Sequence, residues 1–290
     1  MSRLAVNGIQ LNVEVNGQGP CLLLLHGFTG SAATWTPFAD TWPGFTTVAV
    51  DLPGHGASDS PDQPDRYRME HCLEDLVALL DRLGIGQTAV LGYSMGGRVA
   101  LRLALNTPDR LWALLLESSS PGIPDPAERL ERVNSDAALA EAIERDGIDA
   151  FVDRWQALPL FASQAQLSTP LREGLRRQRL ANSPRGLANS LRGLGTGRQE
   201  PVLYQLDRLR LPTLLLAGAL DERYCTLARG MAAALPRARL EIVAQAGHAI
   251  HLEQRQRFSE LVKQFLDEHQ QQSAERKVTN AASLATDQDL

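Results

Sequence analysis

Three residues spread along the chain are of types that together perform nucleophilic or general-base chemistry: Ser94, Asp221 and His248. Ser94 lies in Gly92-Tyr93-Ser94-Met95-Gly96, straight after the strand-like run Thr88-Ala-Val-Leu91 and straight before a helix-like segment, Val99 to Leu105. That is the pattern of a serine on a tight strand-to-helix turn. Glycine at 92 and 96 omits the Cβ atoms that would collide where the two backbones close on each other. Asp221 follows the apolar run Pro212 to Ala217, and His248 follows Leu240 to Val243. A serine hydroxyl is a weak base and nucleophile near neutral pH. Histidine can take its proton, and a buried aspartate can hold the imidazole tautomer and stabilise its charged form. Each of the three sits just past the expected end of a strand, so all fall on one rim of a sheet.

Other residues compete for these roles. Asp51 also ends a strand, but Asp51-Leu-Pro-Gly-His-Gly56 reads as a turn in which aspartate bonds its own backbone. His26 and His55 occupy glycine-flanked loops, where a structural role is expected. His248 and His251 are three apart with no further ligand nearby, so no metal is expected. Negative charge developing beside Ser94 would meet two backbone N–H groups. One is Met95, the residue after the serine; the other is Phe28, in the loop His26-Gly27-Phe28 that follows Cys21 to Leu25. Arg98 begins the helix after Ser94, one turn on, where a positive charge opposes the helix dipole. A cation in that place suggests an anionic ligand, and its planar fork suits a carboxylate.

The elements that must position these residues are legible as patterns. Residues 3–15 alternate about Asn7-Gly8 and read as a hairpin. Continuous apolar runs at Cys21–Leu25, Thr46–Val50, Thr88–Leu91 and Leu111–Leu116 read as strands covered on both faces of a mostly parallel sheet. Apolar positions 73, 76, 77, 80 and 83 keep a helical period. Between Glu117 and about Arg210 strand-like runs vanish, and helical spacing dominates 128–145, 147–157, 171–182 and 185–193. The expected division is a core over 1–120, a helical lid over 121–210, and the rest of the core over 211–269. Residues 270–290 are polar and expected to be disordered.

Composition bounds the function. The 290 residues are 43% hydrophobic and 22% charged with a net charge of −5, so neither nucleic acid nor an anionic membrane is an expected partner. Three widely spaced cysteines, no signal-peptide pattern and no membrane-length apolar run lead to an expected cytoplasmic location. Oligomeric state is left open, and no cofactor is implied.

Taken together, the chain resembles α/β-hydrolase-fold proteins over roughly residues 3–268. More narrowly it is similar to the 2-succinyl-6-hydroxy-2,4-cyclohexadiene-1-carboxylate synthase (MenH-type) family. The segments that carry this are His26-Gly-Phe-Thr-Gly30, Asp51-Leu-Pro-Gly-His-Gly56, Gly92-Tyr-Ser-Met-Gly-Gly-Arg98 and Glu117-Ser-Ser-Ser-Pro-Gly122. Glu131-Arg132, Ser135-Asp136, Trp155, Pro159-Leu-Phe161 and Gly247-His248 add to it. The resemblance implies a lyase acting on a small polycarboxylate in menaquinone biosynthesis, with Ser94 as base and pyruvate as leaving group. It implies a substrate pocket lined by Tyr93, Arg98, Arg132, Trp155 and Arg179. Two alternatives share the fold: a serine hydrolase cleaving an ester or a C–C bond, and a non-catalytic receptor.

Overall fold

The structure, a computed structural model, describes residues 2–286, with side chains described through residue 270. The described residues form one eight-stranded sheet in the order β1-β2-β4-β3-β5-β6-β7-β8. Strands β1 (Ser2–Val6) and β2 (Ile9–Gly17) are the expected hairpin. Its turn residues Asn7 and Gly8 both have positive φ, which matches a two-residue turn to the twist of the strands. Strands β3 (Cys21–Leu25), β4 (Thr46–Val50), β5 (Thr88–Tyr93), β6 (Leu111–Glu117), β7 (Thr213–Gly218) and β8 (Ala238–Val243) run parallel to one another, and β2 joins β4 antiparallel.

The apolar strand runs follow from two covered faces. Successive residues point to opposite sides of a strand. Leu23, Val48, Val90, Leu114 and Leu215 pack on one side with helices α1 (Met69–Arg82) and α2 (Met95–Asn106). Leu22, Leu24, Leu91, Leu115 and Leu214 pack on the other with Phe258 and Phe265 of the closing helix and with Trp35, Phe38 and Trp42. The strand positions were legible; this aromatic cluster, Trp35 and Phe38 at two 3₁₀ turns (Ala32–Thr34 and Thr36–Phe38) and Trp42 just beyond, has no periodic signal in the sequence.

Between β6 and β7 lies the helical insertion: α3 (Pro126–Gln156), α4 (Thr169–Leu180) and α5 (Pro184–Leu194). Asp125 caps α3 by accepting from Glu128 N–H, Ser183 caps α5 by accepting from Gly186 N–H, and proline follows each cap. The expected break between 145 and 147 is a kink at Gly147, whose φ of 82° is a left-handed value. Ala140, Ile143, Phe151, Val152, Leu187 and Leu191 give the insertion a small core, against which Phe28 and Trp155 pack. Within the expected 121–210 segment, Val202, Leu206 and Leu209 pack instead into the core of the sheet. Helices α6 (Glu222–Ala234), the single-turn α7 (Ile250–Glu253) and α8 (Arg255–Thr286) complete the chain. The backbone of α8 runs past the expected amphipathic stretch. The side chains after residue 270 and all of 287–290, where a disordered tail was expected, lie outside the described residues.

Candidate active site

Ser94 joins β5 to α2 with φ 51° and ψ −106°, a strained combination for a residue with a Cβ. Its surroundings hold it there. Ser94 N–H donates to the Glu117 carbonyl at 2.9 Å, extending the β5–β6 ladder, while Arg98 N–H donates to the Ser94 carbonyl at 3.1 Å and starts the helix. A Cβ on Gly92 would lie 2.3 Å from the Gly96 carbonyl oxygen, and one on Gly96 would lie 2.3 Å from that of Leu25. Both glycines are therefore required by close backbone approach, as their spacing suggested.

The serine hydroxyl reaches His248 Nε2 at 3.0 Å, and His248 Nδ1 reaches Asp221 Oδ2 at 2.8 Å. Asp221 divides its oxygens: Oδ1 accepts from Tyr224 N–H as the cap of α6, leaving Oδ2 for the imidazole. His248 is 2% exposed and Asp221 8%, so the hydrogen bond between them is shielded from water. The Tyr224 ring stands edge-on to His248 with centroids 4.5 Å apart. Glu253 also positions the histidine loop, accepting from Gly247 N–H at 2.7 Å and from Ala249 N–H at 3.3 Å. The arrangement can move a proton from the serine to the histidine and stabilise the resulting imidazolium.

The rival residues are occupied elsewhere. Asp51 accepts from Ala32 N–H, Ala57 N–H and the Asn12 amide, tying two loop segments to strand β2. His26 accepts from Leu52 N–H and lies against the Gly27 carbonyl; burial pushes its pKa down to about 4. Burial, with His26 alongside, pushes His55 down to about 3. His251 gives its Nδ1 to Glu117 at 2.9 Å, and both side chains are buried.

Ser94 and His248 open onto a cavity of about 620 Å³ between the sheet rim and the insertion. Phe28, Met95, Tyr93, Arg98, Arg132 and Trp155 all line it. Met95 is the first residue of α2, and the first amides of a helix have no partner within it. Gly27, before Phe28, passes so close to the Tyr93 ring that a Cβ would lie 2.6 Å from it. That approach brings the Phe28 loop over the serine.

The arginines separate. Arg98 donates from Nη1 to the Leu194 carbonyl at 2.9 Å, and burial pushes its pKa down to about 10. Among the described residues no carboxylate forms an ion pair with it. Arg132 gives Nε to Asp136 Oδ1 at 2.8 Å, an i,i+4 contact on α3. Asp136 is itself buried, its Oδ2 lacks a partner, and burial raises its pKa. Arg179 lies elsewhere. It stacks over Phe161 at 5.3 Å, hydrogen-bonds Gln164, and lines a neighbouring cavity of about 510 Å³. Phe161 forms part of both cavity walls, so it stands between Arg179 and the serine.

The profile of the alpha/beta hydrolase fold matches residues 20–254, which contain Ser94, Asp221 and His248. A 2-succinyl-6-hydroxy-2,4-cyclohexadiene-1-carboxylate synthase from Serratia proteamaculans is 34% identical over 85% of this chain and 93% of its own length. A Bacillus subtilis protein that carries the same name provisionally is 40% identical over 87% and 93%. The chain belongs to this synthase family, on the α/β-hydrolase fold. A solved structure of MenH from S. aureus covers 89% of this chain and 98% of its own, with TM-score 0.86 and 34% identity. A malate-bound thermophilic esterase from Thermogutta terrifontis also superposes, with TM-score 0.81 and 26% identity over 93% of this chain and 100% of its own.

Sequence reasoning passed over two cavity residues beside Asp221, Arg223 and Tyr224. Their signal was present: they follow the aspartate at the start of a helix, within one turn of a residue already singled out. Phe161 and Asp136 were noted only as parts of matching segments. Their contacts depend on how the insertion folds over the sheet.

Proposed function

We propose that this chain eliminates pyruvate from 2-succinyl-5-enolpyruvyl-6-hydroxy-3-cyclohexene-1-carboxylate, giving 2-succinyl-6-hydroxy-2,4-cyclohexadiene-1-carboxylate in menaquinone biosynthesis. The observation that carries this reading is a serine–histidine–aspartate relay opening onto a cavity lined by a half-buried arginine, Arg98, that has no carboxylate partner among the described residues. A neutral ester needs no such cation. A substrate with three carboxylates does.

In this reaction Ser94 Oγ, its own proton passed to His248 Nε2, removes the ring proton next to the succinyl ketone. The C–H electron pair moves onto the ketone oxygen, where the Phe28 and Met95 N–H groups stabilise the enolate by ~3 kcal/mol each. The enolate collapses to form the conjugated diene and breaks the ring C–O bond. Enolpyruvate leaves with that electron pair and, on taking up a proton, becomes pyruvate. Tyr93 and Trp155 shape the cavity, while Arg98 and Arg132 hold carboxylates. Arg132 has both terminal nitrogens for this, since Asp136 takes only Nε. Arg179, behind Phe161, adds positive charge to that wall.

A cytoplasmic location is supported by Cys21, Cys72 and Cys225, all buried free thiols. Among the described residues no helix is long and apolar enough to cross a membrane.

Pyruvate release from the enolpyruvyl substrate, compared between the unmodified protein and Ser94→Ala, tests the function. Turnover should fall by about three orders of magnitude or more in the variant. If the unmodified protein releases no pyruvate yet hydrolyses aryl esters through Ser94, the esterase reading suggested by the Thermogutta likeness replaces this one.

A further inference from the structure

Three arginines line the cavity: Arg98 from α2, Arg132 from α3 and Arg223 from the first turn of α6. Arg98 and Arg132 each have a backbone or carboxylate contact that fixes their direction. Arg223 has none: among the described residues no carboxylate forms an ion pair with it. Beside it, Tyr224 lines the same wall with its ring edge-on to His248. Its backbone N–H is held by Asp221 Oδ1 at 3.2 Å, so the ring is anchored to the relay itself. Resting on the reading above, we propose that Arg223 and the Tyr224 hydroxyl form a third carboxylate-binding element of this cavity, on the wall supplied by α6.

Charge and chemistry support this assignment. The substrate carries three carboxylates: on the ring, on the succinyl chain and on the enolpyruvyl group. Arg98 and Arg132 account for two, and Arg179 is separated from the cavity by Phe161. Burial raises the Tyr224 pKa, while Arg98, Arg223 and Arg132 all act on its hydroxyl in the opposite sense. The hydroxyl therefore lies in the combined field of the three cations and keeps its proton to donate. Glu128 and Asp136 are the acids on the cavity wall; Asp136 is engaged by Arg132. A donor hydroxyl and a guanidinium without a carboxylate partner on the same cavity wall are a fit for one more carboxylate.

The test measures substrate binding in a Ser94→Ala background, where turnover does not interfere, together with KM and kcat in the background that retains Ser94. Arg223→Gln should weaken binding and raise KM by about tenfold to a hundredfold, as for a lost charged hydrogen bond, with kcat changed far less. Tyr224→Phe keeps the ring on His248 and loses only the hydroxyl; it should weaken binding by about threefold to tenfold. Arg229→Gln, on the exposed side of the same helix, makes the same change in net charge and serves as the comparison. If Arg223→Gln matches Arg229→Gln, or lowers kcat with KM untouched, the assignment is wrong. If the protein bearing Ser94 releases no pyruvate at all, the reaction itself is wrong, and the two failures remain distinct.

Discussion

A single arginine, Arg98, bears most directly on the choice of substrate. Arg98 stands on the first turn of a helix, where the dipole disfavours it, and burial pushes its pKa down to about 10. It keeps its charge at neutral pH with one carbonyl as its hydrogen-bond partner from the insertion. That is a costly state without an anion, and a ligand carboxylate relieves it. Arg98→Ala should raise KM by about tenfold to a hundredfold, corresponding to ~1.5–3 kcal/mol for a lost charged hydrogen bond, and leave kcat less affected. Steady-state kinetics on the enolpyruvyl substrate would measure it; unchanged KM and kcat would remove the carboxylate role. Ser94, Asp221, His248 and Arg98 were all legible because each sits at a strand end or helix start that the chain marks with glycines or apolar runs.

At the scale of elements, the turn between β5 and α2 converts backbone packing into chemistry. Gly96 lets α2 start directly over the Leu25 and His26 carbonyls, which puts the first turn of the helix, with Met95 at its head, next to the serine. Replacing Gly96 with alanine puts a Cβ 2.3 Å from a backbone oxygen that cannot rotate away. The helix must shift, at a cost of about 1–3 kcal/mol by analogy with overpacked cores. Gly96→Ala should lower Tm by several degrees and, if the Met95 amide is the proposed enolate donor, kcat with it. Calorimetry and kinetics on one preparation would check both; a variant with normal kcat and Tm would show that the turn tolerates a side chain. The helical insertion was equally legible as helices. What the helical period could not supply was the direction of each face, so Arg179 was expected in the same pocket as Arg132 but stacks on Phe161 in a neighbouring one.

For the molecule as a whole, buried histidines set a limit on acid stability. His26 and His55 titrate near the ordinary histidine value of 6.5 when unfolded, but burial lowers them to about 4 and about 3 in the fold. Above pH 6.5 both states are neutral and neither histidine affects stability. As pH falls below 6.5, the unfolded chain takes up protons that the folded chain refuses, so stability is lost progressively toward pH 4. Each histidine contributes a slope of up to ~1.4 kcal/mol per pH unit in that window. Denaturant melts across pH 4–7 should show the loss, and His55→Gln should flatten it. An unchanged slope in that variant would mean that other groups govern the acid limb.

The sequence by itself determined the strands, the order in which Ser94, Asp221 and His248 arrive at one rim, and the helical character of the insertion. Those features depend on local periodicity and on glycine at fixed positions, which a chain states outright. The tertiary structure alone decided which polar groups meet. Glu253 bonds the backbone on both sides of His248, Glu117 holds His251, and Phe161 divides two cavities. Tyr224 and Arg223 join the cavity because α6 starts at the acid that orients the histidine. Such contacts join residues far apart in the chain, and no spacing rule encodes them. They follow from how whole elements pack once the apolar faces of the sheet are covered.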